Sequence, residues 1–310
     1  MNIFPSYLKI KTLEQKNKVW NSFSKISSLV KKSNKIEVDL EEFSWAWFTV
    51  NTRAVYFKDS DSKHYLDTYQ IALDDDQANL ALAPFLDLFN HSSKASVEAG
   101  FNIQSKASEC FYTIKTNTKY QKYDQVFINY GPHGNLRLYL EYGFFEEENS
   151  NDFVPVSTSE VIEIFNSYLE LSPEKSFIAK ALQLVEKTKL HENLRIDNNG
   201  PSWNIAALFY VMNNVYGSMK VHSINTPNTG KWQNVFMIDD FSVYTEISSL
   251  LILLVTSKIK EVRSSIAEMK EIIIKFNGIS KPTKSFEMAY GLLKLHNSIL
   301  ESAVKCLLAP

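Results

Sequence analysis

Two stretches carry the residue types that could do chemistry. Leu82-Ala83-Pro84-Phe85-Leu86-Asp87-Leu88-Phe89-Asn90-His91-Ser92 ends an apolar run on the polar pair Asn90-His91, and Val126-Phe127-Ile128-Asn129-Tyr130-Gly131 ends another on a tyrosine and a turn. The second continues through Pro132-His133-Gly134 to Tyr139-Leu140-Glu141-Tyr142-Gly143-Phe144. Polar groups delivered at the ends of apolar runs point to a site rather than to a core alone.

Several chemistries fail on these residues. His64, His133, His191, His222 and His296 are scattered, and no HxxxH or HxxE spacing includes His91, so a zinc or iron site has no partner set. No Gly-x-Ser-x-Gly occurs, so the nucleophile elbow of a hydrolase is missing. Gly131-Pro132-His133-Gly134 is a weak phosphate-loop signal, with neither Lys-Ser/Thr nor GxGxxG beside it. What the residues alone leave open is a site built on Asn90-His91 and Tyr130, or strand-to-turn corners whose side chains satisfy local backbone groups. Tyr130 and Tyr142 could also be core positions, since the chain holds 15 tyrosines and 20 phenylalanines.

The elements that must position these residues follow from patterning. Val19, Trp20, Phe23, Ile26 and Val30 recur at helical spacing, and Glu41 to Val55 reads as a second helix whose Phe43, Trp45, Trp47, Phe48 and Val50 predict burial. Arg53 near its end is either a C-terminal cap, the favoured reading, or a group aimed into a pocket. Lys58 to Gln77, with Asp74-Asp75-Asp76, reads as a solvated loop, because three consecutive carboxylates do not converge on one cation. Val97 to Ile103, Cys110 to Thr116 and Gln125 to Tyr130 read as strands, the first two joined through Ser105-Lys106-Ala107-Ser108. Glu146 to Asp152 reads as an acidic linker. Beyond it helices are expected from a Ser157 to Glu160 cap to about Leu171, over Ser172 to Leu190, Trp203 to Asn213, Asp239 to Phe276 and Lys284 to Leu307.

With 310 residues, two domains are expected, and an apolar fraction of 45% is that of a globular chain. Lys plus Arg, 33, nearly balance Asp plus Glu, 35, leaving a formal charge of −2 and no basic field to hold nucleic acid. Cys110 and Cys306 are far apart and form no CxxC, so neither a disulfide framework nor structural zinc is supported, and a reducing compartment is expected. The longest apolar run, Leu250 to Val255, is too short for a bilayer, and Met1-Asn2-Ile3-Phe4-Pro5 does not read as a signal peptide.

Phe43 to Tyr56, Leu82 to Ser92 and Tyr130 to Phe144, taken in order, resemble the SET-domain protein methyltransferases of the Rubisco large-subunit methyltransferase type. The motif match runs over roughly residues 5 to 145, and residues 155 to 307 are similar only in their helical pattern. The resemblance implies an α+β fold. Residues 1–57 would be the helical insert of the SET domain, residues 58–146 a β-rich SET core whose motif stretches form a pseudoknot, and residues 155–310 an all-helical substrate-binding domain. It further implies S-adenosyl-L-methionine as cofactor and a protein substrate with a target lysine, histone or non-histone, for a monomeric enzyme of cytoplasm and nucleus. By the same resemblance Asn90 and His91 hold the adenine and methionine parts of the cofactor, Tyr142 stacks near the adenine, and Arg53 faces the cofactor and substrate end. Asp87 is counted with these cofactor-binding residues, and Tyr130, beside the methyl group and the lysine, is the catalytic residue. No metal, nucleic acid or membrane is implied.

Such chemistry suits these residue types. A lysine amine, with an ordinary pKa near 10.4, must lose its proton before it attacks, and an aromatic, water-poor channel favours the neutral form. Positioning and electrostatics then suffice, without a strong base. One feature departs from the family. Its members open the SET domain with a Gly-x-Gly strand pair, whereas here no glycine precedes Gly100, and Phe4-Pro5-Ser6-Tyr7-Leu8 resembles the Trp-x-Pro-Tyr-Leu at the start of the family's insert. The expectation is a chain that begins within that insert, with the first SET strands absent. This keeps open a non-catalytic binding module; a histidine in place of lysine as acceptor is the other alternative.

Overall fold

The computed structural model describes residues 3–32, 37–57, 79–103, 110–169, 183, 186–221, 232–241, 244–276 and 283–309. The loop expected over Lys58 to Gln77, the turn at Ser105 to Ser108 and most of the helix expected over Ser172 to Leu190 lie outside these residues. The chain divides into two compact units, Thr12–Asn151 and a second that joins Met1–Lys11 to Asp152–Pro310.

The first unit takes Thr12 onward from α1 (Ser6–Lys32), followed by α2 (Leu40–Arg53). Asp39 starts α2 by accepting the Glu42 N–H at 2.8 Å, and Ala54 ends it by turning extended at φ −82°, ψ 144°. The β-branched and aromatic run that follows pairs instead as β1 (Ala54–Phe57) with β2 (Asn79–Leu82), antiparallel, Ala54 opposite Leu82. The burial expected for α2 is not found: none of its residues is buried, and Trp45 is 72% exposed. Phe23 on α1 meets Phe43 at 5.6 Å between ring centroids, and apolar content alone does not place the helix in a core.

The remaining strands are β3 (Asn90–His91), β4 (Val97–Ile103), β5 (Cys110–Thr116) and β6 (Phe127–Ile128). β4 and β5 form an antiparallel hairpin with Val97 opposite Thr116, whereas β3 and β6 run parallel, Asn90 beside Phe127 and His91 beside Ile128. The strand expected over Gln125 to Tyr130 thus keeps only its centre; Asn129 Oδ1 captures the Gly131 N–H at 2.8 Å and turns the chain. Next come α3 (Asn135–Arg137) and a π-turn over Leu138–Tyr142, closed by Gly143 in the left-handed region at φ 78°.

In the second unit β7 (Val154–Pro155), β8 (Arg195–Asp197) and β9 (Gly200–Pro201) make a small antiparallel sheet. Ser157 and Glu160 form a capping box on α4 (Thr158–Tyr168). α5 (Trp203–Val221), α6 (Thr245–Phe276) and α7 (Lys284–Leu308) bring together Phe165 of α4 and Ile205, Phe209, Leu250, Leu254, Leu292 and Leu300, all fully buried or nearly so. Among the described residues no helix is long and apolar enough to cross a membrane.

Tyr7 and Leu8 are buried in this second unit. The Tyr7 hydroxyl lies 2.7 Å from His296 Nδ1, and the other ring nitrogen of His296 is 3.9 Å from Asp152 Oδ1. Burial, reinforced by the charge of Lys258, lowers the His296 pKa to about 3. The sign follows directly: below the ordinary histidine value of about 6.5 the unfolded chain takes a proton that the folded one refuses, so stability falls with falling pH. Urea unfolding is expected to give about 2 kcal/mol less stability at pH 5 than at pH 7 from this residue, a difference that His296→Gln removes.

Candidate functional site

The candidate site is built at the parallel β3–β6 pair of the first unit. Alternation along β3 exposes Asn90 and buries His91. Tyr130, just past β6, is tied to the first motif stretch at both ends: its backbone N–H donates to His91 Nδ1 at 3.1 Å and its hydroxyl donates to the Phe89 carbonyl at 2.7 Å. Burial raises the Tyr130 pKa, the charge of Asp87 adds to the rise and that of Arg53 opposes it. The phenol is therefore a proton donor at neutral pH.

Aromatic rings surround it. Tyr142, delivered by the π-turn, stacks on Tyr130 at 5.4 Å and 29°, His91 meets Tyr130 at 5.1 Å, and Phe144 meets His91 at 5.8 Å. His133 sits 6.0 Å from Tyr142, its pKa lowered by burial and by the neighbouring Arg137. Phe89 also lines an apolar cavity of about 370 Å³ with Pro84, Leu86, Val97, Ile114 and Phe127. Arg53 does not cap its helix; Nη1 reaches Asp87 Oδ2 at 2.6 Å, and about half of its side chain is exposed. Of the expected site residues, His91, Tyr130 and Tyr142 form one contact chain, Arg53 and Asp87 form an ion pair whose charges act on Tyr130, and Asn90 is exposed. Among the described residues no cluster of three or more His, Cys, Asp or Glu could hold a metal ion.

Gly131 is required where it stands. Its φ is +129°, and a Cβ there would come within 2.9 Å of the His133 ring. Gly131→Ala is expected to cost about 1–3 kcal/mol in urea unfolding. Gly143→Ala, also at positive φ but with open space around the added carbon, is expected to cost only about 1 kcal/mol. Equal losses would exclude the His133 clash as the cause.

No family model matches the chain. Over 219 residues it is 34% identical to SET domain-containing protein 4 of Artemia parthenogenetica, across 70% of this chain and 51% of that one. Over 257 residues it is 30% identical to the mouse protein of the same name, across 81% of this chain and 52% of that one. The chain is thus similar to SET-domain proteins over most of its own length. It spans about half the length of these curated relatives. A shorter match, 33% over 150 residues, 48% of this chain and 33% of the relative, is to a ribosomal lysine N-methyltransferase of Schizosaccharomyces pombe. Another, 28% over 116 residues, 37% of this chain and 16% of the relative, is to the mouse actin-histidine N-methyltransferase.

The stretch read as an acidic linker is part of the site. Both carboxylate oxygens of Glu146 accept the Ser93 N–H, at 3.1 and 3.0 Å. Its backbone exchanges two hydrogen bonds with the Asn135 side chain, at 2.7 and 3.0 Å. Asn149 is buried and donates to the His133 carbonyl at 2.8 Å. Runs such as Glu146-Glu147-Glu148 carry no mark of which carboxylate turns inward, and Asn149 stands among polar neighbours; only Asn135, next to Leu136, hints at a buried partner.

Proposed function

We propose that the chain is a protein-lysine N-methyltransferase that uses S-adenosyl-L-methionine, acting on a histone or another nuclear or cytoplasmic protein. The observation that carries this reading is Tyr130: a phenol held protonated, fixed at both ends and stacked on a second tyrosine. The residues present fit the cofactor by their chemistry. The stacked faces of Tyr130 and Tyr142 suit a sulfonium cation, Arg53 can take a carboxylate, and exposed Asn90 offers an amide to a purine edge. When bound, the cofactor supplies an electrophilic methyl group.

The chain's own residues do the rest. Removal from water disfavours an ammonium, so the lysine amine gives its proton to solvent before it attacks. The Tyr130 hydrogen is committed to the Phe89 carbonyl, which leaves the phenol oxygen free to accept an amine N–H and aim the nitrogen lone pair. In this reading the two motif stretches thread one another as a pseudoknot at the β3–β6 pair, and the helical unit docks the protein substrate.

The test is transfer of labelled methyl from the cofactor to histones and ribosomal proteins, followed by acid hydrolysis. Label in methyllysine is the expected result. Label in methylhistidine would move the acceptor, and no transfer together with no S-adenosylhomocysteine binding by calorimetry would leave a non-catalytic module.

A further inference from the structure

We propose that Glu146 is a positioning residue for Tyr130 and acts through the His91 imidazole. The proposal rests on the methyl-transfer reading for its activity readout alone. Because the Tyr130 N–H donates to His91 Nδ1 at 3.1 Å, that nitrogen carries no proton, and the proton of the neutral ring is on Nε2. His91 Nε2 is fully buried, makes no hydrogen bond to the described residues, and lies 3.6 Å from Glu146 Oε2.

At that distance a carboxylate attracts an N–H and repels a lone pair, so Glu146 selects the tautomer that leaves Nδ1 free for Tyr130. The opposite tautomer would set the Nδ1 proton against the Tyr130 N–H and open the corner before Gly131. Burial lowers the His91 pKa and outweighs the opposing charge of Glu146, so the ring acts as a neutral relay. Glu146 is fixed for this task, since its carboxylate grips Ser93, its backbone grips Asn135, and Asn135 Oδ1 is held in turn by Asn149 at 3.2 Å. One carboxylate thereby sets the backbone of the first stretch at Ser93 and, through His91, the backbone of the second at Tyr130. The phenol hydroxyl is pinned separately at Phe89.

Glu146→Gln keeps an acceptor for Ser93 and removes the charge that faces His91, and Glu147→Gln, on an exposed neighbour, is the control. Nitrogen-15 spectra of the His91 ring are expected to show one bare and one protonated nitrogen in the parent and in Glu147→Gln. In Glu146→Gln the two signals draw together as the tautomers mix. Exchange of the Tyr130 amide is expected to quicken by about five- to tenfold. Methyl transfer is expected to fall on the order of ten- to a hundredfold with the KM for cofactor little changed. Unchanged His91 signals and unchanged Tyr130 exchange in Glu146→Gln would overturn the proposal whether or not the chain transfers methyl groups. Shifted signals in a chain without transfer would keep the positioning role and sink the enzymatic reading instead.

Discussion

Tyr130→Phe is expected to lower methyl transfer by about a hundredfold while S-adenosylhomocysteine affinity changes little. The substitution deletes one oxygen. In the resting site that oxygen donates to Phe89, so its loss leaves an unpaired carbonyl and costs about 1 kcal/mol of stability, which is not enough to disorder the site. In the reacting complex the same oxygen is the acceptor that aims the amine, and the transition state is where its absence is felt. The pH profile separates orientation from base catalysis. Because burial, helped by Asp87, raises the Tyr130 pKa, the phenol stays protonated through the working range. The rate should climb with pH as the lysine amine loses its proton, with the same limb in parent and variant. A limb that moves in Tyr130→Phe would make Tyr130 the base, and an unchanged rate would remove it from the site.

How far the sequence reaches can be judged residue by residue. Residue types alone left Asn90-His91 and Tyr130 as either a site or separate corners, and only the family resemblance brought the two stretches together, as they are found at the β3–β6 pair. The resemblance placed Tyr142 near an adenine, and its stacking on Tyr130 was not legible, since that placement depends on a π-turn that no propensity encodes. Arg53 was misjudged as a cap because local reasoning stops within a few residues, and its carboxylate, Asp87, arrives from another element. The burial expected of α2 failed for a related reason: apolar content says that a helix wants a partner surface, not that one is present. Glu146 was invisible because burial, not residue type, separates it from Glu147 and Glu148. Likewise, nothing in the even periodicity of α1 marks Tyr7 for the helical unit, where Lys258 and His296 receive it.

That last connection holds the largest stability effect. Lys258→Ala is expected to cost about 3–5 kcal/mol in urea unfolding. Lys258 is 3% exposed, forms an ion pair with Glu160, lies 3.6 Å from Glu261 and stands 4.9 Å from the centre of the Tyr7 ring. Removing the cation strands two carboxylates that also hold Ser6 and the Ser157 cap. Burial alone would push the Glu160 pKa up, but the charge and hydrogen bond of Lys258, with the bonds from Ser157, bring it below the ordinary carboxylate value. A lowered folded pKa means stability that is present above about pH 4.3, the unfolded value, and lost as pH falls through the folded one. In Lys258→Ala the largest lowering influence on Glu160 is gone, its folded pKa moves up toward the unfolded value, and the variant loses less stability than the parent as Glu160 protonates. The deficit should therefore be greatest at pH 7 and shrink toward pH 4, and adding Glu160→Gln should recover part of it at pH 7. A deficit independent of pH would show that Lys258 stabilises through its buried alkyl chain rather than through its charge.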